Sequence, residues 1–159
     1  MDIKDFKDHL TDLPPEKRKL FAELLERKQS LKRTQDAKQN FLDFVKYIWP
    51  DFIEGTHHRI IAEKFNRIAE GKLKRLIVNM PPRHTKSEFA SYMLPAFIMG
   101  RNPQTKIIQT SHTAELSQRF GRKTKQLIDS SDYKKIFPET NLQADSKAAG
   151  RWDTSAGGE

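Results

Sequence analysis

Cysteine is absent from these 159 residues, which excludes a disulfide framework and any thiolate metal site. No stretch of about 18 apolar residues runs uninterrupted, so no segment reads as a membrane-spanning helix. The first residues, Met1-Asp-Ile-Lys-Asp-Phe-Lys7, carry charge where a secretory leader would be apolar. A cytoplasmic location is therefore expected by default. Glycine is scarce as well: there are seven, and none lies between Gly71 and Gly100. That gap contains the most informative segment of the chain. Also lacking is any apolar run that ends in adjacent carboxylates.

What the sequence does have is positive charge. Twenty-nine Lys and Arg stand against 21 Asp and Glu, a formal net charge of +8. Part of that excess serves solubility, and the rest favours a polyanionic partner, with double-stranded DNA the first candidate. The basic residues concentrate at Lys17-Arg18-Lys19, from Lys72 to Arg75, and from Arg119 to Lys125. The length suits one hydrophobic core rather than two.

The segment Leu76-Ile-Val-Asn-Met-Pro-Pro-Arg-His-Thr-Lys-Ser-Glu88 has the layout of a phosphate-binding loop. A branched apolar run predicts a buried strand, and prolines then open a loop. Lys86-Ser87 stands at the start of a long apolar helix. In that chemistry, backbone N–H groups of Pro82-Arg83-His84-Thr85 and the helix start wrap an anion, proline itself contributing none. Lys86 reaches the terminal phosphates and the Ser87 hydroxyl holds Mg²⁺. The pattern G-x-x-x-x-G-K-[ST] wants glycine where Met80 and Thr85 stand. Thr85 is β-branched, so a positive φ there would be strained.

Met80-Pro-Pro-Arg-His-Thr-Lys-Ser-Glu88, followed by Ile107-Ile-Gln-Thr-Ser-His-Thr-Ala-Glu-Leu-Ser117 and Ala144-Asp-Ser-Lys-Ala-Ala-Gly-Arg-Trp-Asp-Thr154, resembles the ATPase domain of tailed-bacteriophage terminase large subunits. The resemblance covers roughly residues 40–159. That family commonly has glycine where this chain has Thr85. The resemblance implies an ATP- and Mg²⁺-dependent motor that packages viral DNA into procapsids. It also implies a homo-oligomeric ring, joined to a metal-dependent endonuclease, working with the portal and the small terminase subunit. On this reading residues 1–39 form a charged helical extension, and residues 40–159 form the N-terminal part of a P-loop ATPase domain. The acidic metal-site strand and the nuclease domain are expected to lie outside this sequence. The 159 residues alone are therefore expected not to turn ATP over.

The expected fold is α/β: an incomplete parallel sheet of the P-loop NTPase type, flanked by helices. Strands are predicted at about Arg75–Met80 and Lys106–Thr110. Helices are predicted from Pro15 to about Lys38, over 41–49 up to Pro50, from about His57 to Glu70, and from Ser111 or Thr113 to about Asp129. Pro95 should kink the helix that follows Ser87. Ile60, Ile61, Phe65 and Ile68 are predicted to form a buried stripe. Leu20, Phe21, Leu24, Leu25 and Leu31 form a narrow one on the first helix.

Several residues admit two readings. Arg83 either stabilises charge on the γ-phosphate, which would make it catalytic beside Lys86, or pairs with Glu88 or solvent. His84 suits loop packing better than base catalysis. His57 and His58 either contact adenine, as the resemblance implies, or cap a helix. Arg119 and Arg122 are either trans-acting fingers or a solvated basic face. Rival functions are another P-loop enzyme, helicase-like ATPase or kinase, and a basic nucleic-acid-binding module in which the loop grips a backbone phosphate.

Overall fold

The computed structural model describes residues 14–144 and 151–158. They fall into two compact units that divide between Arg33 and Thr34. In the first unit the described residues are helical from Pro15 onward. Helix α1 (Pro15–Gln39) opens on a proline whose missing N–H has no partner to lose in a first turn, and it carries Glu16 at its start and Lys38 at its end. The leucine stripe stands at helical spacing but is not buried, with Leu20, Leu24 and Leu31 more than half exposed.

The second unit is built from short helices whose ends are set locally. The Asn40 side chain accepts from the N–H groups of Leu42 and Asp43 and so starts α2 (Phe41–Ile48), which stops ahead of Pro50. Helix α3 (Thr56–Ala69) ends where Gly71 adopts a left-handed φ of 71°. Residues Lys86–Glu88 (α4) continue into a π-helical turn, Phe89–Met93, and then into α5 (Leu94–Arg101). Thr113 caps α6 (Ala114–Asp129) through a bond from the Leu116 N–H, and Ser130 caps α7 (Ser131–Ile136).

Aromatic rings hold these helices together. Phe41 is fully buried and meets Phe65, Phe89 and Phe97 edge-on, with centroids 5.2, 5.3 and 5.6 Å away. Phe44, Tyr133 and Phe137 extend the cluster, and the Tyr133 hydroxyl donates to the Ala96 carbonyl at 2.8 Å. Burial pushes the Tyr133 phenol well above the ordinary tyrosine range. Three of the four residues of the expected α3 stripe face the core. Ala62 and Phe65 are buried and Ile61 and Ile68 partly so, while Ile60 points outward at 56% exposed.

The expected parallel sheet is not there. Among the described residues no strand occurs, and the one β-bridge pairs Leu142 with Thr154. Residues 75–80 and 106–110 are irregular, and no backbone ladder joins them. Along both segments the burial pattern alternates all the same. Leu76, Val78 and Ile107 pack on the helical core, whereas Ile77 and Ile108 are 87% and 92% exposed. Alternation reports one covered face; a strand further requires a neighbour for its N–H and C=O groups.

What secures the second of these segments is a side chain. Pro95 has no N–H to give the carbonyl four residues back, that of Ser91, and the Gln109 amide donates to it at 2.8 Å. A π-helical turn, Phe89–Met93, lies immediately ahead of the stretch that holds Pro95. Gln109→Leu would leave the partly buried carbonyl unpaired and is expected to cost about 1–2 kcal/mol, read from urea unfolding. An unchanged midpoint would show that water replaces the amide.

Candidate functional site

Residues 80–88 form an exposed loop that runs into α4. Arg83 and Thr85 both have left-handed backbones, with φ of 65° and 58°. His84 between them does not, and Lys86 is helical. Alternating handedness of this kind turns successive N–H groups toward one concave side, a shape suited to anions. The N–H groups of Thr85, Lys86 and Ser87 make no backbone hydrogen bond among the described residues. Helix geometry accounts for the last two, since a first turn has no preceding carbonyls to bond. The Thr85 carbonyl accepts from the Phe89 N–H at 2.9 Å, which starts the helix.

The side chains divide by task. Lys86 is exposed and folds back over the loop, its Nζ 3.5 Å from the Met80 carbonyl. Ser87 and Pro82 are exposed. Arg83 is exposed and does not pair with Glu88; that carboxylate is taken by Lys123 of α6, at 3.0 and 3.2 Å. The same ammonium lies 5.4 Å from the centre of the Tyr92 ring. His84 Nδ1 donates to the Pro82 carbonyl at 2.9 Å, which closes the loop on itself.

His58 is the residue whose role the sequence concealed. It is 6% exposed, wedged between Phe52 and Phe89 with ring centroids 4.8 and 5.2 Å away. Its Nδ1 accepts from the Gly55 N–H at 2.9 Å, so Gly55 rather than Thr56 precedes the first turn of α3. Its Nε2 lies 2.7 Å from Thr85 Oγ1. Thr85 in turn donates to the His84 carbonyl at 2.6 Å. The capping alternative for His58 is therefore the observed geometry, and both ring nitrogens are engaged. His57 lies against it with centroids 3.8 Å apart and the rings tilted by 46°, and His84 lies 5.7 Å from His57. The cap was hard to foresee because a histidine at the third helical position replaces the usual Glu or Gln of a capping box.

Thr85 thus occupies the left-handed region at a position where glycine would be unstrained. Such backbone costs on the order of 1–3 kcal/mol, and each of its two hydroxyl bonds offsets about 0.5–1.5 kcal/mol. Thr85→Gly relieves the strain but loses both bonds and about 0.5–1 kcal/mol of chain entropy. Its effect on stability is expected to stay within about 1 kcal/mol. Thr85→Val keeps the strain, loses the bonds, and should destabilise by about 1–2 kcal/mol in the same urea assay.

Electrostatics around the loop are mixed. Glu54, just ahead of α3, hydrogen-bonds Lys46 and Arg59, and these two bonds pull its carboxyl down to about 2. Burial holds the His58 imidazole below its ordinary value, and His57 adds to that effect. Among the described residues, no group of three or more His, Asp or Glu could hold a metal ion. A cation at this loop would therefore rest on Ser87 and on its ligand's own oxygens. Asp145 lies outside the described residues, as does most of the 144–154 block, while Arg119 and Arg122 are exposed on α6. A cavity of about 290 Å³ lies elsewhere, lined by Met99, Ile107, Gln109, Thr124 and Trp152 among others, and no residue of the 80–88 loop borders it. No helix among the described residues is long and apolar enough to cross a membrane. Comparison with protein-family models, with curated proteins and with solved structures finds no match for this chain.

Proposed function

We propose that the 82–87 loop binds the triphosphate of ATP with Mg²⁺, and that the chain serves an ATP-driven motor that packages viral DNA, as its likeness to terminase large subunits implies. One observation carries the reading. Left-handed Arg83 and Thr85 bracket the turn into α4, where three successive N–H groups lack backbone acceptors. An anion supplies what those groups need, and the helix dipole favours it. Lys86, Ser87 and the loop backbone fit a triphosphate, and the fit to Mg²⁺ rests on the Ser87 hydroxyl. Arg83, exposed and without an ion pair among the described residues, is placed in the sequence to meet the outermost phosphate. His57, whose nitrogens make no hydrogen bond among the described residues, is the member of the histidine pair left to meet a base.

The reading rests on the loop and not on a sheet. When bound, Mg²⁺ would neutralise phosphate charge. The chain's own contribution is to grip and orient the nucleotide. Double-stranded DNA as the cargo, a ring of copies, the portal and the small terminase subunit as partners, and a cytoplasmic setting all accompany this proposal through the sequence resemblance. The excess of Lys and Arg is what supports contact with DNA.

A second reading draws on that same charge: the loop grips a nucleic-acid backbone phosphate and no nucleotide is involved. Titration with a fluorescent ATP analogue separates the two. Mg²⁺-dependent binding that persists at about 150 mM salt, where the Debye length is about 8 Å, supports the first. Salt-sensitive DNA binding without nucleotide binding would replace it with the second.

A further inference from the structure

One imidazole ties the loop to the start of α3, and we infer that His58 is a positioning residue that works as a proton-operated latch. Neutral, it holds Thr85 in the left-handed conformation that shapes the loop; protonated, it releases it. The purpose of such a latch rests on the phosphate-binding reading above, while its physics does not.

The hydrogen bonds leave a single protonation pattern. Nδ1 accepts from the Gly55 N–H, so in the neutral ring the proton sits on Nε2. Nε2–H then donates to Thr85 Oγ1, and the Thr85 hydroxyl passes its own proton bond to the His84 carbonyl. Each donor meets one acceptor along the chain from Gly55 to His84. A second proton on Nδ1 would set two donors against each other at 2.9 Å. The ring would have to leave Gly55, and Thr85 would lose its partner.

The surroundings oppose that second proton. From α3 itself comes His57, its ring tilted against that of His58, and from the loop comes His84. Phe52 and the π-turn residue Phe89 close the two sides and exclude water. The group that favours the charged ring is Glu54, whose carboxylate is already bonded to Lys46 of α2 and Arg59 of α3. The ring accordingly stays neutral to a pH below the ordinary 6.5. In linkage terms, the unfolded chain takes up this proton first. The latch's contribution is whole above pH 6.5 and is lost as pH falls from there through the lowered folded value.

The test uses the ¹⁵N-labelled chain without nucleotide. Ring spectra should show His58 as the Nε2–H tautomer, titrating below 6.5. The backbone amides of Thr85 and Lys86 should show a component with that same midpoint. The component should persist in Thr85→Ser, which keeps the hydroxyl, and vanish in Thr85→Val, while the His58 ring still titrates. An Nδ1–H tautomer, a midpoint at or above the ordinary value, or wild-type loop amides that ignore the His58 titration would each overturn the latch. A His58 component that survives in Thr85→Val would do the same. Failure of Mg²⁺–ATP analogue to bind a chain whose latch titrates as described would sink the phosphate reading and leave the latch standing.

Discussion

Replacing Lys86 with alanine is expected to weaken Mg²⁺–ATP analogue binding by roughly 10- to 100-fold. A hydrogen bond from a charged donor contributes about 1.5–3 kcal/mol, and 1.4 kcal/mol is a factor of ten. The ammonium is exposed, and its contact with the Met80 carbonyl is long at 3.5 Å. The fold therefore draws little from it, and the urea midpoint should not move. Loss of binding without loss of stability is the signature to look for. Arginine should not restore full affinity, since its planar fork cannot occupy the place of a compact ammonium. If Lys86→Ala binds the analogue within about twofold of wild type, the triphosphate is not seated at this loop.

The largest effect on stability is expected at Phe41. The ring is fully buried and makes edge-on contacts with one ring from α3, one from the π-helical turn and one from α5. Phe41→Ala should cost about 3–5 kcal/mol, through lost burial and the cavity left behind. Small domains are stable by only about 5–15 kcal/mol, so the loss is a large share of the total and the urea midpoint should fall steeply. Ile60→Ala is the contrasting case. Its side chain is 56% exposed, and the change should stay within about 0.5 kcal/mol. If the two variants unfold at similar urea concentrations, the core is not centred where the rings meet.

Much of the helical framework was legible because helix ends are decided within a few residues. Pro15, Pro50, Gly71 and Thr113 start or stop helices by supplying or removing hydrogen bonds close at hand, while the caps at Asn40 and Ser130, and the short α7 that Ser130 opens, escaped that reasoning. The start of α3 eluded the same reasoning by one residue, since the group that replaces the cap is an imidazole three positions on. The loop was legible as a pattern, and its strained threonine as a question. Its partner was not legible: His58 lies 27 residues away in sequence, and nothing at position 85 names it. The Lys123–Glu88 pair, spanning 35 residues, was hidden for the same reason, and the Arg83–Glu88 alternative lost to it.

By itself, then, the sequence determined where most of the helices run, which loop carries Lys86 and Ser87, and that residues 75–80 and 106–110 are apolar runs set apart from those helices. Tertiary structure alone decided that those two segments do not pair, that Gln109 rather than a neighbouring strand secures the second, and that Thr85 is held by His58. The physical reason is the reach of the hydrogen bond. A helix satisfies its backbone with residues three to five positions away, so its evidence is local. A strand, a left-handed threonine or a buried imidazole is satisfied by a group from a distant part of the chain, and only packing brings that group near.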